Sequence, residues 1–189
     1  MEEKWRVFEK ELELIKDSYI REFTKESLNN TSDYFFIAQA SSTGKYHPTC
    51  TIKKGGLIVH VKRVIYLANR LCTGLGIEGI DKDIILSACI LHDIAKTPSN
   101  DSRFTYADYE NHPINAVKYL ANYKHPEDKQ LEYADFYIKL NGCIQYHMGL
   151  WTPKEIKKDI KNYSLLELVV YISDYIAATK DLITPEDIK

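Results

Sequence analysis

Histidine and aspartate residues occur at inward positions of several apolar segments of the sequence. His60 falls in the apolar stripe of one segment with helical spacing, His147 continues another stripe, and Asp174 lies within a third. A fourth segment, IILSACIL, leads directly into His92 and Asp93. Each residue alone has an ordinary explanation, because a core histidine is often satisfied by a hydrogen bond and a core aspartate can pair with lysine or arginine.

The chemistry that this set favours is metal binding. No lysine or arginine lies within four residues of Asp174, and an unpaired buried carboxylate costs several kcal/mol that a bound cation would remove. Imidazole and carboxylate donors without thiolate suit Mn, Fe, Co, Ni or Zn, with Mg as a further candidate. His92 and Asp93 point about 100° apart on a helix. They can therefore share an ion that lies off the helix end, and Asp93 can bridge to a second ion.

The spacing of apolar residues predicts the elements that must position these side chains. Apolar residues recur in steps of three and four, as on amphipathic helices, and no segment shows strand alternation. Gly76 suits a C-cap, and Asp81 and Ser164 suit N-caps. The fold class is therefore predicted to be all-α, a bundle of about seven helices around one core. The predicted helices are 2–25, 57–74, 81–95, 113–123, 126–146, a short lysine-rich helix opened by Pro153, and 165–180.

Length and composition narrow the class of protein. A chain of 189 residues has the usual length of one domain with its own core. Its net charge of −2 means that the protein has no overall positive charge to attract nucleic acid. No apolar run is long enough for a membrane span, and the charged N-terminal segment does not resemble a signal peptide. The four scattered cysteines indicate reduced, buried thiols. A cytoplasmic location is therefore expected, in the host cytoplasm if the protein is phage-encoded.

The strongest candidates resemble the signature of the HD superfamily of metal-dependent phosphohydrolases. His60, then His92 and Asp93 within LHDIAK, then Asp174 within YISDYIA follow its H…HD…D order. The resemblance covers about residues 41–180. It implies an HD-domain helical bundle at 41–189, preceded by an N-terminal helical extension, 1–40, packed on the core. It also implies that these four residues hold a first metal ion.

Two further histidines resemble those of HD subfamilies that hold two metals. They are His112 in ENHPINAVKYL and His147 in IQYHMGLW, and the resemblance implies that Asp93, His112 and His147 hold or complete a second ion. The segments GKYHP and GGLIVH are also similar to the HD domain of the bacterial YhaM-type 3′–5′ exoribonucleases and to small stand-alone HD proteins, some of them phage-borne. Those exoribonucleases carry an N-terminal OB-type domain, for which this sequence offers no counterpart.

Several residues are candidates for catalysis and substrate contact. Two neighbouring ions would lower the pKa of a bridging water and neutralise phosphoryl charge, with Asp93 as the bridge. Lys96 lies one helical turn from His92 and is a catalytic candidate that could hold the phosphate. Lys45 is a substrate-binding candidate, and His47 could be a ligand or a substrate contact.

The expected activity is hydrolysis of a phosphoester in a nucleotide, cyclic nucleotide or short oligonucleotide through a metal-activated water. A long polymer usually needs a basic groove that tracks several phosphates, and the lysines and arginines near the site are few. A small substrate is therefore favoured over long nucleic acid, no membrane partner is expected, and the oligomeric state is open. The alternatives are a 3′–5′ exonuclease on RNA or DNA, and a non-catalytic, metal-containing module that binds a nucleotide or a protein.

Aromatic and glycine residues flank the candidate site. The loop 97–111 carries Phe104, Tyr106 and Tyr109, and it could cover the site, stack a base or simply connect two helices. Trp151 could flank a base, but a core position is the expectation. The pair of glycines at 55–56 would let the backbone pass close to the site at the start of a helix.

Overall fold

The helices of the structure surround one central helix. The structure is a computed structural model that describes residues 3–41, 45, 47–96, 111–122 and 133–179. Within those residues it contains eight α-helices and no strand, which confirms the predicted all-α fold. The helices are α1 (Glu9–Leu12), α2 (Ser18–Asn30), α3 (Asp33–Ile37), α4 (Gly56–Leu75), α5 (Gly79–Leu91), α6 (His112–Ala121), α7 (Ala134–Tyr146) and α8 (Leu165–Ala178).

Helix α5 is the centre of the bundle. Every residue from Asp83 to Leu91 is buried, and a helix that is apolar on all sides must be covered on all sides. It packs against α2, α4, α7 and α8, while α4 also packs on α8 and α6 packs on α7. The C-terminal end of α5, which leads into His92 and Asp93, therefore lies among the other helices. Within the part of the chain that the structure describes, no helix has both the length and the apolar character that crossing a membrane would require.

The predicted helix over 2–25 is wrong in its continuity. The chain forms a 3-10 turn (Lys4–Phe8) and α1, leaves the helix at residues 13–17, and enters α2 at Ser18. The cause is Asp83 of α5, whose carboxylate accepts hydrogen bonds from the backbone N–H groups of Lys16 (3.0 Å) and Asp17 (2.6 Å). Asp17 in turn caps α2 by accepting from the backbone N–H of Ile20 (2.9 Å).

The N-terminal helices share the buried core of the bundle. Phe23 and Leu28 of α2 and Phe35 of α3 belong to the same buried cluster as the apolar residues of α5. Two buried hydroxyl groups, on Thr24 of α2 and Ser87 of α5, form a hydrogen bond of 2.7 Å. The boundary near residue 40 between an extension and the HD domain stays a prediction.

Helix α5 and the lysine-rich segment also depart from their predicted limits. Helix α5 begins at Gly79, so Asp81 lies in its first turn rather than at its N-cap, and α5 ends at Leu91 rather than near residue 95. Pro153 opens only a 3-10 turn, Lys154–Ile156, before the chain extends at Lys157. The segment offers too few apolar residues to stabilise a helix by burial.

The remaining helix limits agree more closely. Gly76 is the C-cap of α4, as predicted, and its backbone lies in the left-handed region. Ser164 is the N-cap of α8, as predicted, and it forms a capping box with Glu167. Helix α6 begins with His112, and α7 is described from Ala134. The predicted helix starts and ends at residues 123, 126 and 180 lie outside the described residues.

Gly56 allows a close backbone contact where α4 begins. A Cβ atom at this position would overlap the backbone carbonyl group of Thr51. That carbonyl cannot easily withdraw, because it accepts a hydrogen bond of 2.9 Å from the backbone N–H of Ala40. The preceding residue, Gly55, has a φ of +75°, which also favours glycine.

We therefore expect Gly56→Ala to lower the free energy of unfolding by about 1–3 kcal/mol, the usual cost of overpacking. The matched control is Gly74→Ala on the same helix, where an added Cβ meets no atom within 4 Å. That change should raise stability by about 0.5–1 kcal/mol, because alanine is the better helix former. The measurement is the free energy of unfolding of both variants in urea. Equal changes in this free energy at the two positions would contradict the close contact between Gly56 and Thr51.

Candidate metal centre

Five segments of the bundle bring the histidine and aspartate candidates together. His60 lies in the second turn of α4, His92 and Asp93 directly follow α5, and His112 begins α6. His147 directly follows α7, and Asp174 lies on α8. All are buried except Asp174, whose side chain is 19% exposed. Because α5 is central, the residues at its C-terminal end can meet side chains from the surrounding helices.

One group of donor atoms surrounds the carboxylate of Asp174. Its Oδ1 lies 2.9 Å from His60 Nε2 and 3.6 Å from His92 Nε2. Asp93 joins this group through Oδ2, which lies 3.3 Å from His92 Nε2 and 3.8 Å from His60 Nε2. Donor atoms of His60, His92 and Asp174 lie within 4.8 Å of one another, which is close enough for one ion to contact all of them at ligand distances of about 2.0–2.2 Å.

A second group of donor atoms lies near the other carboxylate oxygen of Asp93. Asp93 Oδ1 is 2.9 Å from His112 Nε2 and 3.7 Å from His147 Nε2. The two histidines are themselves close, with 3.0 Å between their Nε2 atoms. The carboxylate of Asp93 therefore faces one pair of histidines with each of its oxygens.

Backbone carbonyls fix the orientation of two of the imidazoles. His92 Nδ1 lies 2.8 Å from the carbonyl oxygen of Cys89, and His147 Nδ1 lies 2.6 Å from that of Ile144. A carbonyl can only accept, so each Nδ1 must carry the proton, and the Nε2 of the neutral ring keeps its lone pair toward the centre. Both carbonyls belong to the last turn of a helix, where they have no partner within the helix.

The buried polar atoms at the centre fit a divalent metal. Among the described residues, His92 Nε2 is buried without a hydrogen-bond partner, although buried polar atoms normally have one. It faces the carboxylates of Asp93 and Asp174 rather than a hydrogen-bond donor. A lone pair in this position is what a metal ligand requires.

The charges at the centre shift the pKa values of its groups in different directions. Burial would lower the pKa of His92, but the carboxylates of Asp93 and Asp174 raise it above its ordinary value, so a metal ion at His92 would displace a proton. Burial alone would raise the pKa of Asp93, but His92, Lys96 and His112 hold it well below its usual value. Burial would likewise raise the pKa of Asp174, but His60 and His92 keep it below its ordinary value. Burial, together with the nearby His92 and His112, lowers the pKa of His147 to about 3. Both carboxylates are therefore charged and His147 is neutral near neutral pH, as metal coordination needs.

The remaining site candidates lie at the same cavity. Lys96 Nζ is 2.7 Å from Asp93 Oδ2 and 3.3 Å from the carbonyl oxygen of Ala40. The ring of His47 is 5.8 Å from that of His60, and burial, followed by the charges of His60 and Lys96, lowers its pKa to about 4. Lys45 is exposed and lines the cavity.

The cavity above the centre has a volume of about 630 Å³. Its floor is formed by His60, His112, His147 and Asp174, and its walls include Met148, Trp151, Tyr171 and Tyr175. The expected core position of Trp151 is wrong, because its side chain is 63% exposed. It follows a turn at the surface and lies near-parallel to Tyr175 instead of entering the bundle.

Sequence reasoning did not identify Met148, Tyr171 or Tyr175 as residues of the cavity. Tyr171 lies three residues before Asp174, so helical spacing could have placed it beside that residue, and Tyr175 lies one helical turn after Tyr171. The loop residues Phe104, Tyr106 and Tyr109 lie outside the described residues, so their predicted role stays a prediction.

Comparison with known proteins gives the family. No curated protein and no solved structure matches the chain. The family model of the HD domain matches residues 57–179, which is more than half of the 189 residues. The matched span runs from the first turn of α4 through the end of α8, and it contains all six of the histidine and aspartate candidates for metal binding. The chain therefore belongs to the HD domain family, which is a family of metal-dependent phosphohydrolases.

Proposed function

We propose that the protein hydrolyses a phosphoester of a nucleotide, a cyclic nucleotide or a short oligonucleotide. The observation that carries this proposal is the position of Asp93, whose two carboxylate oxygens face different histidine pairs beside the cavity. One carboxylate shared between two groups of ligands suits two ions held close together, an arrangement used for phosphoester hydrolysis.

The proposed ligands form two sets that share Asp93. His60, His92, Asp93 and Asp174 would hold the first ion, and Asp93, His112 and His147 would hold the second. Their nitrogen and oxygen donors suit Mn, Fe, Co, Ni or Zn, and Mg is a further candidate. Bound there, the ions would supply a water activated for attack and would neutralise charge on the phosphoryl oxygens.

The lysine and histidine side chains around the cavity are proposed to hold the substrate. Lys96 already contacts Asp93 at 2.7 Å, so its ammonium group lies where a phosphoryl oxygen near the centre would need a cation. Lys45 and His47 line the cavity, and we assign them to substrate contact.

The size and charge of the cavity favour a small substrate. A volume of about 630 Å³ lies within the range of small-molecule sites, about 300–1,000 Å³. Among the described residues that line it, the lysines are Lys45 and Lys96. Such a site can neutralise a few phosphates, whereas a polymer groove tracks many.

The test is hydrolysis of mononucleotides, cyclic nucleotides and an oligonucleotide of about 20 residues, compared at several salt concentrations with Mn²⁺ added. Turnover of the small substrates with weak salt dependence would support the proposal. Turnover of the oligonucleotide alone, falling steeply with salt, would replace it with the 3′–5′ exonuclease that the GKYHP and GGLIVH segments suggest. Binding without hydrolysis of any substrate would favour a non-catalytic module.

A further inference from the structure

Two large aromatic side chains are exposed where the cavity opens. Trp151 is 63% exposed and Tyr175 is 52% exposed. Their ring centroids are 6.3 Å apart and their planes differ by only 17°. Aromatic side chains of this size normally contribute much of their surface to a core. Both side chains line the cavity, so the pair contributes aromatic surface to the cavity rather than to the interior of the bundle.

The backbone segments that carry Trp151 and Tyr175 are both linked to the helix of Asp174. Tyr175 directly follows Asp174 on α8, and Tyr171 lies one helical turn before Tyr175. The turn that carries Trp151 is seated on the same helix at Gly149, where an added Cβ would overlap the ring of Tyr171. Gly149 also has a φ of +57°, so glycine is favoured there both by backbone conformation and by contact.

The cavity is lined by both polar and aromatic side chains. The polar ones include His60, His112, His147, Asp174 and Lys96, and the aromatic ones are Trp151, Tyr171 and Tyr175. A nucleotide combines an anionic phosphoester with a flat base, and these groups suit the two kinds of lining. Base stacking on aromatic side chains accepts every base, because each base has a π-face.

We infer that the nucleobase of the substrate stacks on Trp151 and Tyr175 while its phosphoester lies beside Lys96 at the metal centre. This inference rests on the proposed function and goes beyond it by assigning the part of the site that recognises the base. It makes the base a requirement for tight binding, so a sugar phosphate without a base is a poor substrate. It also makes the site tolerant of base identity.

The fluorescence of Trp151 can report whether a ligand is stacked on this residue. The sequence contains two tryptophans, and the other, Trp5, lies at the N-terminal 3-10 turn beside Arg6 and Lys25. In a Trp5→Phe protein, the fluorescence of Trp151 should be quenched by adenosine monophosphate but not by ribose 5-phosphate. Adenosine should also quench it, and because adenosine has no phosphoester, that signal does not depend on turnover.

Variants at the aromatic surface separate base recognition from hydrolysis. Trp151→Ala should raise the KM for adenosine monophosphate about ten-fold, within the range known for loss of one stacking contact, while kcat changes little. Trp151→Phe should restore most of the affinity. The matched control is Leu150→Ala, because Leu150 is 61% exposed on the same turn and does not line the cavity.

The outcomes distinguish the two proposals. Hydrolysis that continues with no quenching, and with equal KM values for wild type and Trp151→Ala, would overturn base stacking while leaving the proposed function in place. Quenching by adenosine without hydrolysis of any phosphoester would overturn the proposed function while supporting base stacking. Both proposals would be supported if the nucleotide quenches the fluorescence and is hydrolysed in preference to ribose 5-phosphate, and if Trp151→Ala abolishes that preference.

Discussion

Replacement of Asp93 by asparagine is expected to abolish hydrolysis, with a loss of more than about 10³-fold in kcat. Loss of one transition-state charge contact usually costs about 10²–10³, and this carboxylate faces both histidine pairs. Asparagine keeps the shape of the buried side chain and removes its charge. Nucleotide hydrolysis and metal content provide the measurements, and both metals should be depleted together.

The control for this variant is Asp81→Asn. Asp81 also belongs to α5, but its side chain is 41% exposed and pairs with Lys139 at the surface. This change should leave hydrolysis and metal content near their wild-type values. Circular dichroism shows whether each variant is folded, and a folded Asp93→Asn protein with full activity would refute the assignment of Asp93.

Removal of metal is expected to lower the melting temperature by about 5–10 °C. An ion that binds only the folded state stabilises it by about 2.7 kcal/mol at one hundred times its dissociation constant. A change of 1 kcal/mol moves the melting temperature of a chain of this length by about 2–4 °C. Four histidines and two carboxylates meet at this centre, so metal removal also leaves the two carboxylates with less positive charge beside them.

The measurement is thermal unfolding before and after dialysis against a chelator, then after return of Mn²⁺. Asp93→Asn provides the reference, because a protein without the shared carboxylate should show little of the shift. A wild-type melting temperature that does not respond to chelator or to Mn²⁺ would show that the cluster is an ordinary buried polar network.

The convergence of the histidine and aspartate candidates could be predicted because these residues interrupt apolar patterns. His60 and Asp174 are polar side chains at positions where the helical period calls for apolar ones, and the structure places their Nε2 and Oδ1 atoms 2.9 Å apart. Such a conflict between local pattern and residue type is expected at functional sites. The pattern also predicted the helices that carry these residues.

The breaks in the helices could not be predicted from local spacing. Apolar residues continue at helical intervals across residues 13–17, yet Asp83, far along the chain, holds two backbone N–H groups there outside the helix. At the other end of α5, Ile94 and Ala95 continue the apolar pattern although the helix ends at Leu91. At residues 13–17, a tertiary contact therefore overrides local propensity.

The exposure of the aromatic residues that line the cavity could not be predicted, for a different reason. Tryptophan and tyrosine count as apolar in any periodicity, so Trp151 and Tyr175 fit a core prediction as well as a surface one. Only the packed structure shows that Gly149 lets the turn approach Tyr171 and leaves Trp151 exposed beside Tyr175. Exposure of a residue that suits the interior is a property of the assembled helices.

The most direct test of the centre is the number of metal ions bound per chain, measured by mass spectrometry on the wild type and on His112→Ala. His112 Nε2 lies 2.9 Å from Asp93 Oδ1, the same oxygen that His147 faces. With an ion on each side of Asp93, the wild type should bind two ions and His112→Ala should bind one. A wild type that binds one ion, unchanged in His112→Ala, would contradict the shared carboxylate, and a wild type that binds none would contradict the metal centre itself.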